Sequence, residues 1–126
     1  MIYASSQKTS TGYCPVLRRS GPGNPVVHKF DYQCRNRDET THKNIGASNL
    51  ANLVMRAVVD PDLVRDIAYG PIPPAVAELA RRYPYAVADW KRRQAIAVIA
   101  MELSATAPQD IIGELRGQSH STSKAF

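Results

Sequence analysis

The stretch that most limits what this chain can become is Ala95 to Leu103, Ala-Ile-Ala-Val-Ile-Ala-Met-Glu-Leu, apolar on every side of a helix except at Glu102. A helix that is hydrophobic all round has to be surrounded by other parts of its own fold or by a partner. With nine residues it is far too short to cross a bilayer. It therefore reads as the middle of a central helix, running from Tyr85 to about Ala105, in a small core.

The flanking segments supply helices to pack against it. Ser48 or Asn49 is the expected N-cap of a helix whose stripe is Leu50, Leu53, Val54, Ala57 and Val58, the i, i+3, i+4 spacing of a buried face. Asp60-Pro61 restarts the chain with a cap and a first-turn proline, and the helix that follows carries Leu63, Val64 and Ile67 and stops at Gly70. Pro71-Ile-Pro-Pro74 is a rigid extended connector. A third helix over Ala75 to Tyr83 is expected to turn Val76, Leu79 and Ala80 inward. After the central helix, Thr106-Ala-Pro-Gln109 reads as a capping box for a short last helix with Ile111, Ile112 and Leu115 on one side and Gly117 as its stop. The fold class expected is mainly α: a bundle of about five helices over 48–117, with 118–126 as a flexible tail.

Residues 1–47 are of another kind and read as an extended basic arm. Residues 1–12 are Ser-, Thr- and Gln-rich without period, an extended or disordered lead-in. A candidate β-hairpin spans 13–34. Tyr13 to Arg18 is its first strand, and Ser20-Gly-Pro-Gly-Asn-Pro25 is a dense turn signal. Val26 to Cys34 alternates, with Val26, His28, Phe30, Tyr32 and Cys34 on one face. Pro15 cannot donate to a ladder, which places its strand at an edge. Residues 35–47 are polar and aperiodic, a long linking loop.

Charge follows the same partition. The chain has 126 residues and a net charge of +5. Residues 1–47 carry seven cations against three acids, whereas 48–117 carry eight of each. A neutral body with a basic arm points to an anionic partner: the phosphates of a nucleic acid or an acidic protein surface. Arg18, Arg19, Lys29, Arg35 and Arg37 are the arm's candidate contacts, and Phe30 and Tyr32 its candidate interface anchors.

The corner between the third and fourth helices is the second candidate site. In Ala80-Arg-Arg-Tyr-Pro-Tyr-Ala-Val-Ala-Asp-Trp-Lys-Arg-Arg93, five cations (Arg81, Arg82, Lys91, Arg92, Arg93) crowd around three aromatics. Over 76–95 it resembles a helix-turn-helix, with Leu79, Ala80 and Tyr83 packing from the first helix and Val87 and Trp90 from the second. It departs from that pattern at Pro84, where such turns often use glycine. It departs again at Ala86 and Ala88, which have no hydrogen-bonding side chain at the base-reading positions. Trp90, the one tryptophan, is either a core residue or an interface anchor.

Catalytic chemistry finds little to rest on. There is no nucleophile elbow, phosphate-cradling loop or His-Glu-x-x-His. Cys14 and Cys34 are too few for a disulfide framework. Together with His28 and His42 they match no common zinc-finger spacing, so neither metal nor cofactor is expected. The N-terminus has no signal-peptide pattern. The expectation is a non-enzymatic structural or adaptor subunit of a virion or nucleoprotein assembly. It would be cytoplasmic or inside an intracellularly assembled particle, with protein subunits as partners and neither a membrane nor a small-molecule substrate. The alternative is a small nucleic-acid-binding regulator using 76–95.

Overall fold

A computed structural model describes residues 1–41 and 43–124, with side chains described as far as Ser119. Along the chain come β1 (Ile2–Lys8), β2 (Tyr13–Arg19), β3 (Val26–Lys29), α1 (Ala47–Val59), α2 (Pro61–Tyr69), α3 (Pro74–Leu79), α4 (Tyr85–Ser104) and α5 (Gln109–Lys124). A helical body preceded by a hairpin is thus what the described residues form, with one strand more than expected.

That extra strand is β1. The lead-in read as extended or disordered pairs antiparallel with β2 along its whole length, from Ile2 opposite Arg19 to Lys8 opposite Tyr13. Its composition has no alternation to reveal a strand. It is held by the ladder and by Ile2, which is buried beneath α1 and α5. The strand order β1-β2-β3 moves the Pro15 strand from the expected edge to the centre. Tyr13 exchanges both backbone bonds with Cys34, so the next residue but one, Pro15, turns its missing N–H to the same side. There β3 has already ended, and only the Pro15 carbonyl is used, accepting from the Phe30 N–H at 3.0 Å. The turn between β2 and β3 places Gly23 and Asn24 at φ of 77° and 42°, left-handed values that glycine and asparagine tolerate best.

Residues 2–34 are therefore a packed layer and not a loose arm. Ile2, Leu17, Phe30 and Cys34 share one buried cluster with Leu50 and Val54 of α1, Ala100 and Leu103 of α4, and Ile111 and Leu115 of α5. The alternating run is strand only as far as Lys29. Phe30 and Cys34 still reach the core, while Val26, Val27, His28 and Tyr32 are half-buried.

Loop 35–46 is irregular as expected, but it takes over the cap assigned to Ser48 or Asn49. Gly46 is the N-cap of α1 and no side chain caps it. The Asn36 and Arg37 carbonyls accept from the N–H groups of Ala47 and Ser48, each at 2.9 Å. The Ser48 hydroxyl donates instead to Asp38 Oδ1 at 2.9 Å. Residue 42, named in the metal argument, lies outside the described residues.

A second cluster, Ala57, Val64, Ala68 and Ala97, joins α1, α2 and α4 through side chains short enough for close helix approach. Asp60 and Pro61 start α2 and Gly70 ends it. Leu63, expected inside, is exposed, because Val64 and Ala68 are the residues that face α1 and α4. α3 is a shorter helix than Ala75–Tyr83 and buries none of its side chains, so Val76, Leu79 and Ala80 are not the inward stripe expected. The Thr106 hydroxyl donates back to the Leu103 carbonyl at 2.7 Å, closing α4 and not capping α5.

Gly117 does not stop α5, which continues through residues 118–124 of the expected tail; 125 and 126 lie outside the described residues. Two anchors hold it to the sheet. The Gln118 side chain donates to the Ile2 carbonyl at 2.7 Å and accepts from the Ile2 N–H at 2.9 Å, filling backbone groups that edge strand β1 turns away from β2. One turn earlier Glu114 forms a two-pronged ion pair with Arg19.

Candidate functional site

The segment chosen for its all-round apolar character is not covered on all sides. Ala97, Ala100 and Leu103 of α4 are buried, whereas Ile96, Val98, Ile99 and Met101 keep part of their surface and Ala95 is exposed. One face of the helix meets α1 and α2, because small side chains at 97 and 100 let them approach. Ile96 and Ile99 pack against the main core and Val98 and Met101 against the cluster shared with α1 and α2.

Three recesses adjoin around residues 86–97 of α4. The largest, about 610 Å³, is a cleft between loop residues Thr40 and Thr41, the α3 residues Val76 and Leu79, and the α4 residues Ala86, Asp89, Trp90, Arg92 and Arg93. Trp90 and Arg93 are shared with a smaller apolar recess of about 230 Å³, completed by Leu53, Ile67, Ile96 and Ala97. Arg92 and Ile96 are shared with a third recess of about 240 Å³, whose other walls include Tyr32, Arg35, Lys43, Ile45 and Ala95. Trp90 and Arg92 thus sit at the junctions of one continuous surface.

Its floor is apolar and its charge is positive. Four cations, Arg35, Lys43, Arg92 and Arg93, line the recesses, against the single acid Asp89. Arg92 donates to the Thr41 carbonyl, which ties α4 to the loop. Arg35, Lys43 and Arg93 are exposed and make no ion pair among the described residues. The Trp90 indole N–H is buried without an acceptor among the described residues. Outside the recesses, Tyr69 is 63% exposed, Tyr83 60% and Tyr85 77%. Gln94 Nε2 donates to the Gly70 carbonyl at 2.9 Å and pins the connector after α2 to α4.

The structure therefore sorts the residues singled out from sequence. It brings Tyr32, Arg35, Trp90, Arg92 and Arg93 onto one face. Arg18 is used within the sheet, donating to Ser5 Oγ and to the Ser6 and Asn24 carbonyls. Arg19 is taken by Glu114, whose carboxylate is held below its usual range chiefly by that hydrogen bond. Arg37 pairs with Asp38 at 2.7 Å and Arg81 with Glu78 at 3.6 Å. Lys29, Arg82 and Lys91 are exposed but line none of the three recesses. Phe30 is 1% exposed and belongs to the core, so it offers no surface to a partner. Lys43, Ile45, Val76 and Leu79 were not foreseen as site residues, since nothing local marks an isolated lysine or leucine as part of a cleft.

The two thiols stand apart from this face. Burial raises both pKa values, Cys34 to about 11, and Cys14 Sγ donates to the Phe30 carbonyl at 2.8 Å. A thiol so held is a poor nucleophile. Among the described residues no three His, Cys, Asp or Glu side chains are grouped as metal ligands, and no single helix is long and apolar enough to cross a membrane. Comparison of the chain with protein-family models, curated proteins and solved structures finds no match.

Proposed function

We propose that the protein is a non-enzymatic structural or adaptor subunit of a multi-component assembly, a virion or nucleoprotein complex put together inside the cell. Its helical body docks on another protein subunit through the face around Trp90. The basic N-terminal third contributes Arg35 and Lys43 to that face and does not trail along neighbours as an arm. What supports the reading is the apolar lining around α4: Trp90 and Ile96 are half-buried in adjoining recesses completed by Val76, Leu79, Leu53 and Ile67, and Leu79 is 48% exposed. Contiguous apolar surface of this kind marks an interaction site more often than idle surface.

The test uses the full chain in the cells that make it. A photo-crosslinking residue at position 79 should yield one discrete protein adduct, and the same residue at Lys8, exposed on β1, should not. A partner should also co-purify in fixed ratio and be lost with Leu79→Glu. A chain that purifies alone, with no adduct from position 79, would sink the docking reading.

The alternative, a nucleic-acid-binding regulator using 76–95, rests on Arg82, Lys91 and Arg93, which are exposed and unpaired among the described residues. It requires duplex DNA binding with a steep salt slope that falls when those three are neutralised.

A further inference from the structure

We infer that the segment seated on the Trp90 face is an acidic, amphipathic stretch of a partner protein, with carboxylates on both sides of a large apolar side chain. This rests on the docking reading above and names the chemistry of its partner.

Charge carries the first step. The three recesses present Arg35, Lys43, Arg92 and Arg93 against Asp89, and Arg82, with no ion pair among the described residues, lies in the turn three residues after Leu79. A second copy of this chain would bring the same positive face and a net charge of +5, so self-association here meets repulsion. A neutral apolar segment would leave the cations desolvated without partners, which costs more than it returns. Carboxylates beside the apolar anchor meet them, and arginine forks suit carboxylates in particular.

The lining then separates a peptide from a nucleic acid. Between the cations lie Val76, Leu79, Ala86 and Ile45, aliphatic surfaces that bury an apolar side chain well, while the two rings in the lining, Trp90 and Tyr32, are half-buried and offer a base only part of a face to stack on. Asp89 in the cleft wall repels a phosphate but can accept a peptide N–H. Arg35 and Lys43 line one recess and Arg93 the other two, so the cations are spread over adjoining recesses and not gathered in one. Acids flanking an anchor on both sides fit that spacing better than acids at one end.

The experiment pans a random peptide library displayed on phage against the immobilised full chain, and measures binding of the selected peptides in solution. Enriched peptides should carry Asp or Glu on both sides of Leu, Ile, Phe or Trp. They should shift the emission of Trp90, the only tryptophan. They should weaken about tenfold or more in Arg35→Glu with Arg93→Glu, but not in Lys29→Glu, which changes net charge away from the face. Leu79→Glu should abolish binding while leaving the circular dichroism unchanged, since Leu79 is 48% exposed. The inference is overturned by no enrichment, by enriched peptides without acids, or by binding that survives the double reversal. Displacement of the peptides by oligo-dT at lower concentration than by the peptides themselves would instead make nucleic acid the occupant. If any of these occurs while position 79 still crosslinks a partner in cells, docking stands and only its acidic chemistry falls.

Discussion

Replacing Phe30 by alanine separates a sheet built into the core from a hairpin waiting for a partner. The ring is 1% exposed, shares a buried cluster with Leu17, Leu50 and Leu115, and meets His28 edge-on at 4.6 Å between centroids. Truncating a phenylalanine so placed costs about 3–5 kcal/mol, the lost transfer energy plus the cavity left where the backbone cannot collapse. About 0.5–1.5 kcal/mol of that belongs to the edge-on pair. Set against a typical total of about 5–15 kcal/mol, the variant keeps a folded state with little margin. With a urea slope of about 2 kcal/mol/M, its midpoint should fall by about 2 M. Urea unfolding followed by Trp90 emission and far-ultraviolet dichroism measures this. Tyr83→Ala, at a side chain 60% exposed, is the surface control and should change stability by less than about 0.5 kcal/mol. A loss below about 1 kcal/mol for Phe30→Ala would refute the core placement, because a fully covered ring cannot be removed so cheaply.

Other perturbations have equally definite signs. In Gly46→Ala the new Cβ would lie 2.3 Å from the Asp38 carbonyl oxygen and 2.9 Å from the Glu39 nitrogen, both backbone atoms. The loop over α1 must then shift, at a cost of about 1–3 kcal/mol in chemical unfolding. Gly113→Ala, on an exposed turn of α5 with nothing within 4 Å of the added carbon, should stabilise by about 0.5–1 kcal/mol, and a destabilised variant would contradict the open helix face. Burial lowers the His28 pKa below its ordinary 6.5, so just below that pH the unfolded chain binds the extra proton. Stability should be full above pH 6.5 and fall as pH drops through the folded value, and His28→Phe should remove that slope from unfolding curves taken between pH 7 and 5. With its pKa at about 11, Cys34 is thiolate to about one part in a thousand at pH 8. Neither cysteine should react with an aromatic disulfide reagent in the native protein, and both should react in urea; rapid native labelling of one thiol would count against the burial.

Elements whose signals are local were legible in the residues. Pro61 just inside α2, Gly70 after it and Pro84 before α4 mark boundaries through backbone restriction alone, which needs no neighbour to act. Leu50, Val54 and Val58 mark the inner face of α1 because 3.6-residue periodicity is a property of the helix itself. Where the outcome depended on a distant partner, local reading failed. Ile2 to Lys8 lacks alternation and is a strand because β2 offers it a ladder. Gly117 ought to end a helix, but its cost of about 1 kcal/mol relative to alanine is overridden where Gln118 and Glu114 fasten the same helix to Ile2 and Arg19.

The same division governs the candidate site. Sequence alone determined that Ala95–Leu103 would lie at the centre of the helical core, and that cations would gather at 81–93 and in the first third. Which cations share a face was a tertiary decision. Arg35 and Arg92 are far apart in the chain and meet only because Phe30 and Cys34 anchor the sheet against α1 and α4. Arg18 and Arg19, equally basic in sequence, were drawn inward to the Ser6 carbonyl and to Glu114. Charge and hydropathy belong to residues one at a time, whereas a binding face is made by the packing that sets them side by side.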